Sequence, residues 1–78
     1  MTEEKVMPMF EVASSNIKAI GYHPGSLTLR IQFKAGGTYD YVGVAPAVFS
    51  EIMNSDSQGR FFFTKIKGKY ECTKREDL

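Results

Sequence analysis

Hydrophobic and polar positions in this chain change period along its length, and each change predicts an element. Leu27, Leu29, Ile31 and Phe33 alternate with Thr28, Arg30, Gln32 and Lys34, the pattern of a strand with one buried face and one wet one. An earlier apolar run, Ile17 to Tyr22, reads as a strand, and Met9 to Val12 offers a further short one. The intervening His23-Pro24-Gly25-Ser26 has turn chemistry, since proline presets the first φ and glycine accepts a positive one. Ala35-Gly36-Gly37 closes the next hairpin, and Thr38 to Val44 forms the strand that follows.

The period then lengthens. Pro46 starts a helix, where its missing N–H costs nothing, and Ala45, Val48, Phe49, Ile52 and Met53 form one apolar stripe. After Asn54-Ser55-Asp56-Ser57, a second and shorter helix capped by Asp56 or Ser57 runs to about Ile66, with Phe62 and Ile66 inward. Gly68 ends it, and Lys69 to Thr73 returns as a short edge strand shielded by its lysines. The expected fold is α+β: a three- or four-stranded antiparallel meander with one amphipathic helix and a second short helix on one face. Residues 9–74 make the single domain, between a flexible start over 1–8 and a tail over 75–78.

Composition restricts the function classes. With 42% hydrophobic residues and 24% charged ones, the 78-residue chain is rich enough in apolar side chains for one core, although a domain this small gains from oligomerisation. No membrane-length apolar run occurs, no signal peptide opens the chain, and Cys72 has no internal partner, so a cytoplasmic location is expected. The net charge of +1 conceals an uneven distribution: from Ser57 to Arg75 six bases face the single acid Glu71. Such a stretch is either a solvated face or the footprint of a phosphate-bearing partner.

Tyr39 and Tyr41 carry the main ambiguity. At i, i+2 on a strand they share one face, where they either pack in the core or form a stacking platform for bases. Val42 and Val44 compete for the inward face, and aromatic cross-strand packing favours the tyrosines, which leaves Asp40 alone on the other side. Ser57-Gln58-Gly59-Arg60 reads as a helix cap with Gly59 allowing close packing, or as a contact for an anion; it lacks the spacing of a Walker loop. Of Phe61-Phe62-Phe63, one ring must emerge from a helix, and Phe63 is the candidate for a partner surface. His23 sits in a turn and Cys72 has no adjoining histidine, so neither a nucleophile–base pair nor a zinc site is indicated.

Tyr39-Asp40-Tyr41 followed by Gly43-Val44 and Pro46, then Ser57, Gly59, Phe61-Phe62, Ile66 and Lys67, resembles the KTSC domain. Ser14-Ser15, Ile20-Gly21-Tyr22, Leu27, Leu29, and Phe33 before Gly36-Gly37 extend the resemblance over about Val12 to Tyr70. That family is named after the C-terminal extension of certain lysyl-tRNA synthetases and also occurs as single-domain bacterial and phage proteins. The chain departs from it in Phe63, where relatives usually carry Asn, and in Ala45, inserted before Pro46. The resemblance implies no catalytic residue, and it implies nucleic-acid binding only through attachment to a tRNA enzyme.

The expected function is therefore a non-catalytic binding module, without cofactor or metal. RNA or single-stranded nucleic acid is the first candidate ligand, with Tyr39 and Tyr41 stacking and Arg30, Lys34, Arg60, Lys65 and Lys67 meeting phosphates. One alternative is a homo-oligomeric interaction domain using Phe63 and an open sheet edge. Another is a binder of a small phosphorylated molecule or nucleotide near Gly59 and Arg60.

Overall fold

Five strands in the order β1-β2-β3-β4-β5, every neighbour antiparallel, make one sheet: β1 Met9–Glu11, β2 Ile17–His23, β3 Thr28–Phe33, β4 Thr38–Val42 and β5 Cys72–Lys74. The structure, a computed structural model, describes residues 7–76, so most of the expected flexible start and the last two residues of the tail lie outside it. The strand count exceeds the expected three or four because both short edge segments pair. Between β4 and β5 the chain makes α1 (Pro46–Met53), α2 (Gln58–Phe61) and a π-helical turn (Phe62–Ile66).

The alternation in β3 dictates the core. Leu29 and Ile31 are fully buried, with Ile17, Ile20 and Tyr22 from β2, Tyr41 from β4, Ile52 from α1 and Phe62 and Ile66 from the π turn. Ile17 and Ile20 share a face despite their odd spacing, because the register slips between Ile17 and Ala19. That bulge returns the second half of β2 to the core phase. Gly21, on the opposite face, lies so close to the N-terminal segment that a Cβ would stand 2.8 Å from the Pro8 carbonyl oxygen.

The contest between the tyrosines and valines has a mixed outcome. Tyr41 is 5% exposed and Tyr39 is half-buried, on the inward face, opposite Leu29 and Ile31 respectively. Val42 points outward and is 40% exposed, yet Val44 is fully buried. Gly43 between them has φ +80°, a left-handed conformation that resets the alternation. Val44 then accepts a hydrogen bond from the Tyr22 hydroxyl, whose ring stacks on Phe49 at 5.1 Å. Ala45, expected in the apolar stripe of α1, is instead its exposed N-cap.

The second helical segment begins as its sequence predicts, since Ser57 Oγ accepts from the Arg60 backbone N–H at 3.2 Å. It ends differently. Lys67 N–H donates to the Phe62 carbonyl at 2.8 Å, a five-residue step that widens the last turn before Gly68. Phe62 and Ile66 face the core while Phe63, at 55% exposure, is the ring that emerges.

Candidate functional site

The helical layer leaves one end of the inward sheet face partly open. There a groove of about 660 Å³ runs between the strands and the π turn, walled by the rings of Phe33, Tyr39, Tyr41, Phe62, Phe63 and Tyr70. Edge-to-face packing holds these rings in place. Phe62 meets Phe33 at 5.3 Å, Tyr41 at 5.6 Å and Phe63 at 5.6 Å, and Phe33 meets Tyr39 at 5.8 Å. A single residue thus serves two ends: Tyr41 is core on one side and groove wall on the other.

Polar groups occupy the margins. Lys67 holds its Nζ 5.0 Å from the Phe63 ring centroid, a cation–π contact that keeps the charge at the groove. Ser15 and Asn16 line the groove from the bend just before β2, and Cys72 lines it from β5. Burial pushes the Tyr41 phenol up to about 12, with further upward pushes from Cys72 and from Tyr39. Among the described residues Lys67 is the one basic side chain that lines the groove, and no carboxylate lines it.

This geometry gathers some of the sequence candidates and scatters the rest. Tyr39, Tyr41, Gly59, Phe63 and Lys67 all line the groove, and Lys34 directly precedes Ala35 and Gly36, which also line it. Arg30 is on the opposite sheet face. Its Nε and Nη2 donate to Asp40 Oδ1 and Oδ2 at 2.7 and 3.0 Å, and Arg75 Nη1 donates to Oδ2 at 2.9 Å. Asp40 is thus not alone, as the sequence led one to expect, but is the centre of an ion-pair cluster. Arg60 lines a separate shallow depression with Ser57, Phe61 and Thr64, and Lys65 is exposed and lines no part of the groove. A Cβ at Gly59 would make only ordinary contacts, 3.5 Å from Ser14 Oγ, so close packing does not require glycine there.

Phe33, Tyr70, Asn16 and Cys72 were not legible as site residues. Phe33 reads as one more member of the core alternation, and the others come from distant segments. A second concavity, of about 360 Å³, lies on the opposite face between His23, Ser26, Thr28 and the Arg30–Asp40–Arg75 cluster. Here His23 Nδ1 accepts from the Ser26 N–H at 3.2 Å and lies 3.1 Å from Ser26 Oγ, which bonds Thr28 Oγ1 at 2.9 Å. These contacts close the β2–β3 turn. Asp40 directs both carboxylate oxygens to arginines rather than to the imidazole. Among the described residues no three His, Cys, Asp or Glu side chains come together as a metal-binding group, and no helix is long and apolar enough to cross a membrane.

Comparison with known proteins gives a consistent kinship. A sequence model described as the KTSC domain matches residues 13–70. A crystal structure of a KTSC domain protein from Yersinia pestis superposes with a TM-score of 0.87 at 44% identity, over 90% of this chain and 99% of that one. A protein of Tsukamurella paurometabola is 39% identical over 64 residues, 82% of this chain and 96% of its own length. A lysine–tRNA ligase of a Nostoc species is 36% identical over 64 residues, again 82% of this chain but only 11% of the ligase.

Proposed function

This chain belongs to the KTSC domain family, and we propose that it is a non-catalytic binding module whose aromatic groove captures an unstacked base of RNA or another single-stranded nucleic acid. The observation that carries the reading is the ring of six aromatic side chains around one concavity with Lys67 at its margin. A base offers a π-face to such walls, and each stacked base is worth about 1 to 3 kcal/mol. The kinship with lysine–tRNA ligases, enzymes named for a tRNA substrate, points the same way.

The mode differs from a flat platform. Tyr39 and Tyr41 do not lie open on a bare sheet, so a base enters the groove beside Phe63 instead of settling on two exposed rings. With Arg30 held by Asp40 on the far face, and Arg60 in a separate depression, few cations converge. Affinity is accordingly weak and its salt dependence shallow.

The test is an NMR titration of the labelled protein with short single-stranded RNA at low salt. Resonances of Phe63, Lys67, Tyr70 and Gly36 are expected to shift, and Phe63→Ala to weaken binding while the fold persists. Tyr41→Ala is unsuitable because it opens the core. The reading is lost if no groove resonance moves, or if shifts map only around Arg30 and Asp40. Light scattering on the same samples addresses self-association through Phe63, which would appear as a dimer that Phe63→Ala dissolves.

A further inference from the structure

The reading of the groove as a base-binding site leaves open how much of a strand it holds, and the geometry limits this sharply. We propose that the groove is a single-nucleotide site, taking one base together with one phosphate, either from a free nucleoside monophosphate or from a strand end. This rests on the base-binding reading above and narrows it.

Three observations carry the inference. The first is size: about 660 Å³ is small-molecule scale, within the roughly 300–1,000 Å³ of pockets that enclose one compact ligand. The second is the arrangement of the rings. Binding a run of bases needs successive platforms along a basic track. Here Phe33, Tyr41 and Phe63 all pack against the one ring of Phe62, so the aromatic surface curls around one hollow.

The third is charge. Among the described residues Lys67 is the only cation lining the groove, and no carboxylate lines it. Its Nζ sits over Phe63, on the same wall a ring would touch, so a ligand joining a flat ring to an anion at short range complements both features. Lys34 adjoins the lining at Ala35 and Gly36 without lining the groove itself, and none of the arginines lines it. Arg30 and Arg75 converge on Asp40 on the other face, and Arg60 belongs to a different depression. One phosphate is matched, and a chain of them is not. Ser15 and Asn16 provide hydrogen-bonding groups for the base edge on the β2 side.

The experiment compares nucleoside monophosphates, the corresponding nucleosides, and an oligonucleotide series up to a hexamer, each titrated by NMR into the wild type and Lys67→Ala. Lys67 is exposed, so its removal leaves the core intact. A monophosphate is expected to bind within about threefold of the hexamer, and about tenfold more tightly than its nucleoside, the worth of one charge-assisted contact. Lys67→Ala is expected to erase the difference between monophosphate and nucleoside. If affinity instead climbs more than about tenfold from monomer to hexamer, the single-nucleotide inference is overturned while the nucleic-acid reading stands. An unchanged monophosphate preference in Lys67→Ala overturns it likewise. Monophosphates binding without any oligomer binding would support the site in its free-nucleotide form and remove the nucleic-acid reading. Silence of the groove towards every ligand overturns both.

Discussion

Arg75, just beyond β5, donates its Nη1–H to Oδ2 of Asp40 at 2.9 Å, across 35 residues of sequence. Arg30 grips the same carboxylate from β3 with two bonds, so Asp40 at 8% exposure ties three neighbouring strands together on the face away from the helices. The consequence reaches the groove, because β5 supplies Cys72 to its wall.

Replacing Asp40 with Ala removes the carboxylate that Arg30 and Arg75 both bind and leaves the Arg30 charge in a partly buried place. A loss of about 3 kcal/mol is expected in urea unfolding, against about 1 kcal/mol or less for Arg75→Ala, whose side chain is more exposed. Amide exchange at β5 should accelerate in both variants.

Stability should also depend on Asp40 at acid pH. Burial favours its neutral form, but hydrogen bonds from Arg30 and Arg75, together with their charges, outweigh burial and hold the carboxyl below its ordinary range. The folded state therefore binds this proton less readily than the unfolded one. The contribution is complete above about pH 5 and is lost as pH falls through the folded-state value. Urea midpoints measured from neutral pH downwards should fall less steeply in Asp40→Asn than in the wild type.

Tyr41 produces the opposite limb. Burial, then Cys72 and Tyr39, push its phenol up to about 12 from an ordinary 10.0, so the folded state holds this proton longer than the unfolded chain does. Stability should be unaffected below about pH 10 and decline as pH rises from there through the folded-state value. Absorbance titration of Tyr41→Phe should lack one late-ionising phenol, and its alkaline loss of stability should be smaller.

The neighbouring phenylalanines should behave unlike each other. Phe62→Ala removes the ring on which three others pack, at an expected cost of about 3 to 5 kcal/mol. Phe63→Ala loses one edge contact and the Lys67 contact at the surface, about 1 kcal/mol or less. Equal costs in denaturant melts would contradict this division of core from rim.

Gly21→Ala probes the approach of the N-terminal segment. An added methyl would meet the Pro8 carbonyl at 2.8 Å and Met9 Sδ at 2.5 Å, so β1 must shift away from β2. Destabilisation of about 1 to 3 kcal/mol is expected, with loss of amide protection in Met9–Glu11.

Much of this architecture is local, and local physics is legible. Period-2 alternation marks β3 and its buried face, glycine pairs mark the hairpin before β4, and Ser57 announces its helix because a cap is decided within three residues. The departures arise where one residue changes the phase of those after it. Gly43 resets the strand so that Val42 and Val44, two apart, lie on opposite sides, and the bulge after Ile17 does the same in β2. The π turn is likewise invisible to a helical wheel, because its hydrogen bond spans five residues instead of four, while Phe62 and Ile66 still both reach the core.

The sequence by itself determined that Tyr39 and Tyr41 share a face, since strand pleating leaves no choice, but it left that face contested with Val42 and Val44. It equally determined that one of three consecutive phenylalanines must emerge. Only the tertiary structure decided that the tyrosines are both core and groove wall. The helical layer is too small to cover the sheet, so the aromatic end stays partly open, and residues far apart in the chain, from Asn16 to Cys72, complete the hollow. Tertiary structure also decided that Arg30 and Arg75 turn to Asp40: the register sets Arg30 directly opposite it, and the chain leaving β5 brings Arg75 to the same carboxylate.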